Sequence, residues 1–458
     1  MNPDSSIAAN RFGLGALPGE LDRIARDPLG DLHRQLAAGP RPAPAGLQNS
    51  ATVFVELQAL RRKQRAAADD GDALGEYAGY VRTRYLDQVL ARYRMATGSE
   101  NSFVERLVHF WANHFAVSAD KQPIAAVAGL YENEAIRPNV LGNFADLLFA
   151  ATSHPAMLAY LDNVRSAGPG STLARRASRR RSNREFGLNE NLAREVLELH
   201  TLGVDGGYTQ ADVTELARVL TGWSIGGATD EGRFADGDPG RFHFRAAMHE
   251  PGDRRVLGLR YAEDGVAQGR AVLRDLAVHP ATARHVAQKL ARHFVADEPP
   301  ADLVDELART YLDAGGELRP VYAALIDSEQ AWRMPAAKYK TPHELVVSAY
   351  RALDAEPDSA RRITGGLGTL GQVPYKPGSP AGWPDTAAEW GGADALYKRI
   401  EWVSAVARLA GRRTDPAIIG DGALGAALTA RTREAVARAE STTQGLALLL
   451  ASPDFQRR

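Results

Sequence analysis

Apolar residues recur along this chain at i, i+3, i+4 and i+7 rather than at every second position. The spacing predicts helices over 4–10, 19–38, 50–67, 74–97, 102–117, 123–137, 141–150 and 153–162. It predicts further helices over 189–202, 210–222, 264–277, 280–294, 299–314, 317–327, 341–354, 394–410, 420–429 and 442–451. One strand pattern interrupts them. Phe242-His243-Phe244, a Pro251-Gly252-Asp253 turn and Arg254-Arg255-Val256-Leu257 read as a small hairpin within 241–257. The expected fold is all-α: a multi-helix globular body with one small β-hairpin. It is read as one large domain over 1–458, with two lobes, 1–164 and 188–458, as the alternative division.

Two stretches break the pattern. Residues 165–187 hold Gly168-Pro169-Gly170-Ser171 and then Arg175, Arg176, Arg179, Arg180, Arg181 and Arg184. Clustered like charge with few apolar residues predicts a mobile, solvated insertion without regular structure. A docking patch for an acidic partner is the second reading. Residues 371–393 are rich in Pro and Gly and carry Tyr375, Trp383 and Trp390.

A helical wheel over 103–117 gives an apolar stripe of Phe103, Leu107, Phe110 and Trp111 with His114 in its middle. His109 falls on the polar side, near Glu105 and Asn113. His114 is therefore expected to be buried and His109 solvated. A buried imidazole must find partners for its ring nitrogens. It is either a core histidine satisfied by a carbonyl or a ligand or proton shuttle.

In Asn189-Glu190-Asn191-Leu192-Ala193-Arg194-Glu195-Val196-Leu197-Glu198-Leu199-His200, Asn189 is a good N-cap and Gly203 a natural stop. Asn191, Arg194, Glu195 and Glu198 share one stripe. Two carboxylates a turn apart with an arginine between them can hold a divalent cation, or divide into acid and base. The same pattern suits an ordinary solvated helix face with an Arg194–Glu198 pair. His200 either joins the site or complements the helix dipole. The next helix ends at Trp223, which would wall a pocket between the two, and His249-Glu250 sits at the expected hairpin tip.

Composition narrows the chemistry. The net charge of −1 over 458 residues argues against a general nucleic-acid or membrane-surface binder. The hydrophobic fraction of 44% and charged fraction of 24% are those of a globular protein. With no cysteine, disulfides, thiolate nucleophiles and sulfur-ligated metals are excluded. Any metal would sit on His, Asp, Glu or carbonyl oxygen. No run of eighteen apolar residues occurs, so no transmembrane segment is expected. Met1-Asn-Pro-Asp-Ser-Ser lacks a basic and an apolar region, so the expected location is cytoplasmic, or periplasmic or secreted if a leader was removed.

Two motif matches fail their context. Gly222-Trp223-Ser224-Ile225-Gly226 fits a nucleophile elbow, which needs a strand before the serine and a helix after it; a helix precedes here. Gly366-Leu367-Gly368-Thr369-Leu370-Gly371 fits a dinucleotide fingerprint, yet Gln372-Val373-Pro374 cannot open the required helix.

Four features together resemble the bacterial family called domain of unknown function 1800. They are Phe110-Trp111-Ala112-Asn113-His114-Phe115, the block from Asn189 to Gly203, Tyr208-Thr209-Gln210 through Trp223, and His249 before Gly258; Gly371-Gln372 and Gly382-Trp383 fit too. The resemblance runs from near Arg11-Phe12-Gly13 almost to the C-terminus. It implies a mainly helical protein, exported in many members and often encoded beside a protein similar to alkaline phosphatases and sulfatases. The first functional expectation is an enzyme acting on a polar substrate in a pocket between helices 102–117 and 189–202, which are expected to pack together, with His114, Glu195, Glu198 and Arg194 catalytic. In it Asn191, Trp223, His249 and Trp383 bind substrate, and Glu195, Glu198 and His114 can hold a divalent cation. The rivals are a non-catalytic partner or maturation factor for the phosphatase- or sulfatase-like neighbour, and a carbohydrate-binding protein using Tyr375, Trp383 and Trp390.

Overall fold

The computed structural model describes residues 3–66, 71–179, 187–227, 235–333, 338–411 and 415–458. They form a mainly α-helical body. Where the expected helices differ, the cause is local. The stretch 19–38 is split into Glu20–Ile24 and Pro28–Ala38, because Asp27 caps the second helix by accepting from the Gly30 N–H at 2.8 Å. Pro28 also disfavours helical backbone in the residue before it. Helices Ala360–Thr369 and Ala430–Ala437 had no expected counterpart, although Ser359 and Thr429 cap them. Gly366 and Gly368 thus lie within a helix, not in a phosphate-cradling turn.

The single expected hairpin is two small sheets. Trp223–Ile225 pairs antiparallel with Phe242–Phe244, and Arg254–Val256 pairs with Leu259–Tyr261. Leu257 and Gly258, both at positive φ (48° and 79°), turn the second pair. The Pro251-Gly252-Asp253 turn therefore connects two sheets instead of closing one. Within 165–187, helix Thr172–Arg179 forms where no regular element was expected. Leu173 and Ala177 bury its inner face, Leu173 N–H donates to Ala247 at 2.8 Å, and Gly170 N–H donates to Glu250 at 2.6 Å. Arg180, Arg181 and Arg184 lie outside the described residues.

The largest apolar cluster runs from Ile7 to Ala331 and draws on both sides of 165–187. A second joins helices Pro342–Ala352, Ala393–Ala410, Pro416–Leu424 and Thr442–Ala451. A third, with Val89, Tyr93, Val347 and Leu367, ties helix Gly71–Thr97 to Pro342–Ala352 and Ala360–Thr369. Helix Ser102–His114 runs between these clusters and is buried on nearly every side. His109, expected in solvent, is accordingly only 7% exposed. Its polar side meets other polar side chains rather than water.

Among the described residues, no helix is long and apolar enough to cross a membrane.

Candidate functional site

Helix Pro280–Phe294 begins at His279, whose ring nitrogen accepts the Ala281 N–H at 3.1 Å. Its apolar stripe, with Val286, Leu290 and Phe294, enters the core. The opposite stripe is His285, Gln288, Lys289, Arg292 and His293, at i, i+3, i+4, i+7 and i+8. Helix Ser102–His114 presents Arg106, His109, Phe110, Asn113 and His114 at the same spacing. The two stripes meet antiparallel. Arg106 Nε donates to His293 Nε2 at 3.1 Å, Phe110 lies 5.2 Å from the His293 ring, and His114 lies 6.1 Å from the His285 ring. All ten residues line one cavity of about 450 Å³.

The imidazoles at one end are oriented by a helix terminus. Helix Asn191–Glu195 continues as a π-helical turn, Val196–Thr201, and its last carbonyls have no following N–H to accept. His114 Nε2 lies 3.1 Å from the His200 carbonyl and His285 Nε2 lies 3.1 Å from the Leu199 carbonyl. A carbonyl only accepts, so both Nε2 atoms carry the proton and both Nδ1 atoms keep a lone pair. His114 Nδ1 is buried without a hydrogen-bond partner, as are both ring nitrogens of His200. Burial, reinforced by nearby Lys289, pushes His114 well below the usual histidine range, His200 down to about 3 and His285 down to about 4. All three are neutral at pH 7.

The cations differ in how they are paired. Arg92 lies 3.3 Å from Glu132 and over the Tyr375 ring at 4.8 Å. Arg106 pairs with Glu344 and donates to the Gly13 carbonyl at 2.7 Å. Lys289 has no hydrogen-bond or ion-pair partner among the described residues. The other six lysines all have one: Lys63 with Glu76, Lys121 with Asp162, Lys338 with Asp297, Lys340 with Ser348, Lys376 with Asp120 and Lys398 with Asp394. Burial pushes the Lys289 ammonium down to about 8 against the pull of Asp385. One turn on, Arg292 Nε is buried without a hydrogen-bond partner.

Tyr93, His343 and His109 also line the cavity and begin a chain of polar groups that runs into the body. The Tyr93 hydroxyl lies 2.7 Å from His343 Nδ1, and His343 Nε2 lies 3.0 Å from His109 Nδ1. His109 Nε2 faces Glu105 at 3.5 Å, and Glu105 is held by two bonds from Arg137 at 2.6 and 2.7 Å. Those bonds hold the Glu105 carboxyl far below the usual range despite its burial, while burial lowers both imidazoles.

Of the candidate residues singled out from sequence, His114, Tyr375 and Trp383 line the cavity. Asn113 grips Trp383 by both backbone groups, accepting its N–H at 2.7 Å and donating to its carbonyl at 2.9 Å. Gly382 allows that approach: its φ is 82° and a Cβ there would lie 2.3 Å from the Asn113 carbonyl oxygen. The carboxylate stripe lies elsewhere. Glu195 is half-buried, its carboxyl raised by burial and then by Glu198, and Glu198 accepts from the Tyr208 hydroxyl at 3.1 Å. Neither lines the cavity. Arg194 bonds Glu190 and Gln210 at 3.3 and 2.8 Å, and Asn191 is exposed. Trp223 is fully buried against Phe149 and Phe242. His249 is buried, with Nδ1 3.0 Å from the Thr221 carbonyl. Ser224 is a buried strand residue donating to Val164 at 3.1 Å. The two predicted segments do meet, through His114 and the His200 carbonyl. Among the described residues, no group of three or more His, Asp or Glu side chains is placed to hold a metal ion.

Sequence reasoning passed over Tyr93, Arg106, His285, Lys289, Arg292, His293 and His343. The signal available was the shared five-position polar stripe on helices 102–114 and 280–294.

The sequence over residues 7–457 matches one protein family, described as "Protein of unknown function (DUF1800)". No curated protein and no solved structure gives a significant match.

Proposed function

For this chain, which belongs to the DUF1800 family, we propose an enzyme that binds a small polar anion in the cavity between helices 102–114 and 280–294. The observation that carries this reading is that Lys289 and Arg292, one turn apart on the cavity wall, have no carboxylate partner among the described residues, while Arg92 and Arg106 beside them do. Two cations one turn apart on a cavity wall form a receptor for a carboxylate or phosphoryl group. His114, a neutral imidazole whose proton is fixed on Nε2, supplies Nδ1 as the general base. The half-buried Trp383 offers a flat wall for the substrate's carbon skeleton.

Calorimetry with inorganic phosphate on the full chain tests the reading. Phosphate is expected to bind, and Lys289→Met and Arg292→Met are each expected to weaken it about tenfold or more, as for a lost charged hydrogen bond. Arg194→Ala, on the surface, should leave the affinity unchanged. Phosphate that fails to bind, or binds equally well to both cavity variants, removes the anion site.

A further inference from the structure

Tyr93, His343 and His109, which line the same cavity as Lys289, fix what else the bound anion must carry. Glu105, bonded twice by Arg137, is ionised and only accepts. His109 Nε2, 3.5 Å from that carboxylate, must then hold its proton, since a lone pair there would face a negative charge. His109 is a neutral ring, so its Nδ1 accepts, and the bond at 3.0 Å is donated by His343 Nε2–H. His343 Nδ1 in turn accepts, and the bond at 2.7 Å is donated by the Tyr93 hydroxyl. The polarity of the whole chain follows from the Arg137–Glu105 pair. Arg92 with Glu132, and Glu344 between Arg106 and Arg458, also lie near this chain, but each carboxylate is already held by arginine, so they do not reverse it.

Tyr93 lines the cavity with its only proton committed to His343. What it can offer a ligand is an acceptor lone pair. We infer that the cavity selects anions bearing an O–H group, a hydroxy acid or a protonated phosphate, whose hydroxyl donates to Tyr93 while the charge rests on Lys289 and Arg292. This rests on the anion site proposed above and adds the specificity that Tyr93 imposes. Tyr93 is the group touching ligand; His343, His109 and Glu105 are positioning residues that keep it an acceptor. An anion without a hydroxyl leaves that buried lone pair unpaired, and such a mismatch discriminates more strongly than a missing methylene.

The test compares glycolate with acetate, and phosphate with sulfate at pH 6.5, by calorimetry on the full chain. Glycolate and phosphate should each bind about ten- to a hundredfold more tightly than their partners, the cost of one unsatisfied buried acceptor. Tyr93→Phe should cut that preference at least about fivefold while acetate affinity stays within about twofold. A structural role for Tyr93 would instead weaken all four anions together. Histidine-labelled ¹⁵N NMR of the unmodified chain gives a second readout, with His343 and His109 expected as neutral Nε2–H tautomers at pH 7. Equal affinities for glycolate and acetate that Lys289→Met still abolishes would overturn the hydroxyl selection and leave the anion site standing. An Nδ1–H tautomer or imidazolium at either ring would also overturn it. Binding of none of the four, or binding indifferent to Lys289→Met, would remove the anion site and this inference with it.

Discussion

Replacing Lys289 with methionine should make the protein more stable and unable to hold an anion. The lysine stem is packed in the cavity wall, its ammonium has no partner among the described residues, and burial lowers it from near 10.5 to about 8. That displacement corresponds to a ceiling of about 3 kcal/mol of strain on the charged form. Because the side chain retains partial exposure to the cavity, screening leaves about 1–2 kcal/mol to be recovered. Methionine keeps the linear apolar stem while deleting the charge. The sign with pH is opposite to that of a salt-bridged lysine. Below about pH 8 both folded and unfolded chains are protonated and the folded one bears the full cost. Between about 8 and 10.5 the folded chain sheds its proton first, so the unmodified protein gains stability as pH rises and the variant's advantage disappears. Urea unfolding of both proteins at pH 7, 8.5 and 10 measures this. A variant less stable by more than about 1 kcal/mol, or an advantage that ignores pH, would show that Lys289 is a structural residue and sink the argument.

Acidification should destabilise the fold before its carboxylates titrate. His200, His285 and His293 are held down to about 3, 4 and 3 mainly by burial, so unfolded chains take up protons from about pH 6.5 while the folded chain does not; a urea midpoint that stays flat from pH 7 to 4.5 contradicts this. Glu105→Gln should cost about 3–5 kcal/mol by leaving Arg137 buried and unpaired. The stability that Glu105 contributes is present above about pH 4.3 and is lost only as pH falls through its depressed native value; a loss under about 1 kcal/mol would mean that water reaches Arg137. Glu195→Gln should change stability by less than about 0.5 kcal/mol and leave phosphate affinity unaltered, whereas impaired binding would restore the carboxylate stripe as a site.

The helical class was legible because it rests on local periodicity repeated many times, and one dissenting segment cannot reverse it. Two of the four strands, Phe242–Phe244 and Arg254–Val256, were legible, but their partners were not, because three residues are too few to show alternation and Phe242–Phe244 pairs with Trp223–Ile225 across a long connection. The burial of His114 was legible from the apolar stripe around it. The burial of His109 was not, since a polar helix face reads as solvent-facing unless a second polar face covers it. That second face, His285 to His293, is 176 positions away from His109 at its nearer end and carries its own complete amphipathic pattern. Similarly, the 189–202 helix was marked by its charged stripe, but what reaches the cavity wall is backbone: the carbonyls of Leu199 and His200. Side-chain chemistry can be read from a sequence, whereas the free carbonyls of a particular last turn depend on where and how that turn ends.

The cavity also explains why its groups are expensive to keep. An unpaired ammonium, an arginine with a buried unbonded nitrogen, and His114 with a buried unbonded ring nitrogen each lower stability, while apolar residues of similar size would fill the same volume at less cost. Single buried atoms without partners also occur away from the cavity, Arg11 Nε, Arg218 Nε and Trp223 Nε1 among them, yet the fold can satisfy a whole buried cation. Arg351, fully buried, donates to the carbonyls of Gly15, Ala96, Thr97 and Ser99 and to Glu20. A chain able to satisfy one buried arginine five times over has the means to partner another. Lys289 and Arg292 differ from Arg351 in having no carboxylate partner among the described residues, and they line the same cavity as the neutral His114; the proposed anion site rests on that combination and not on packing.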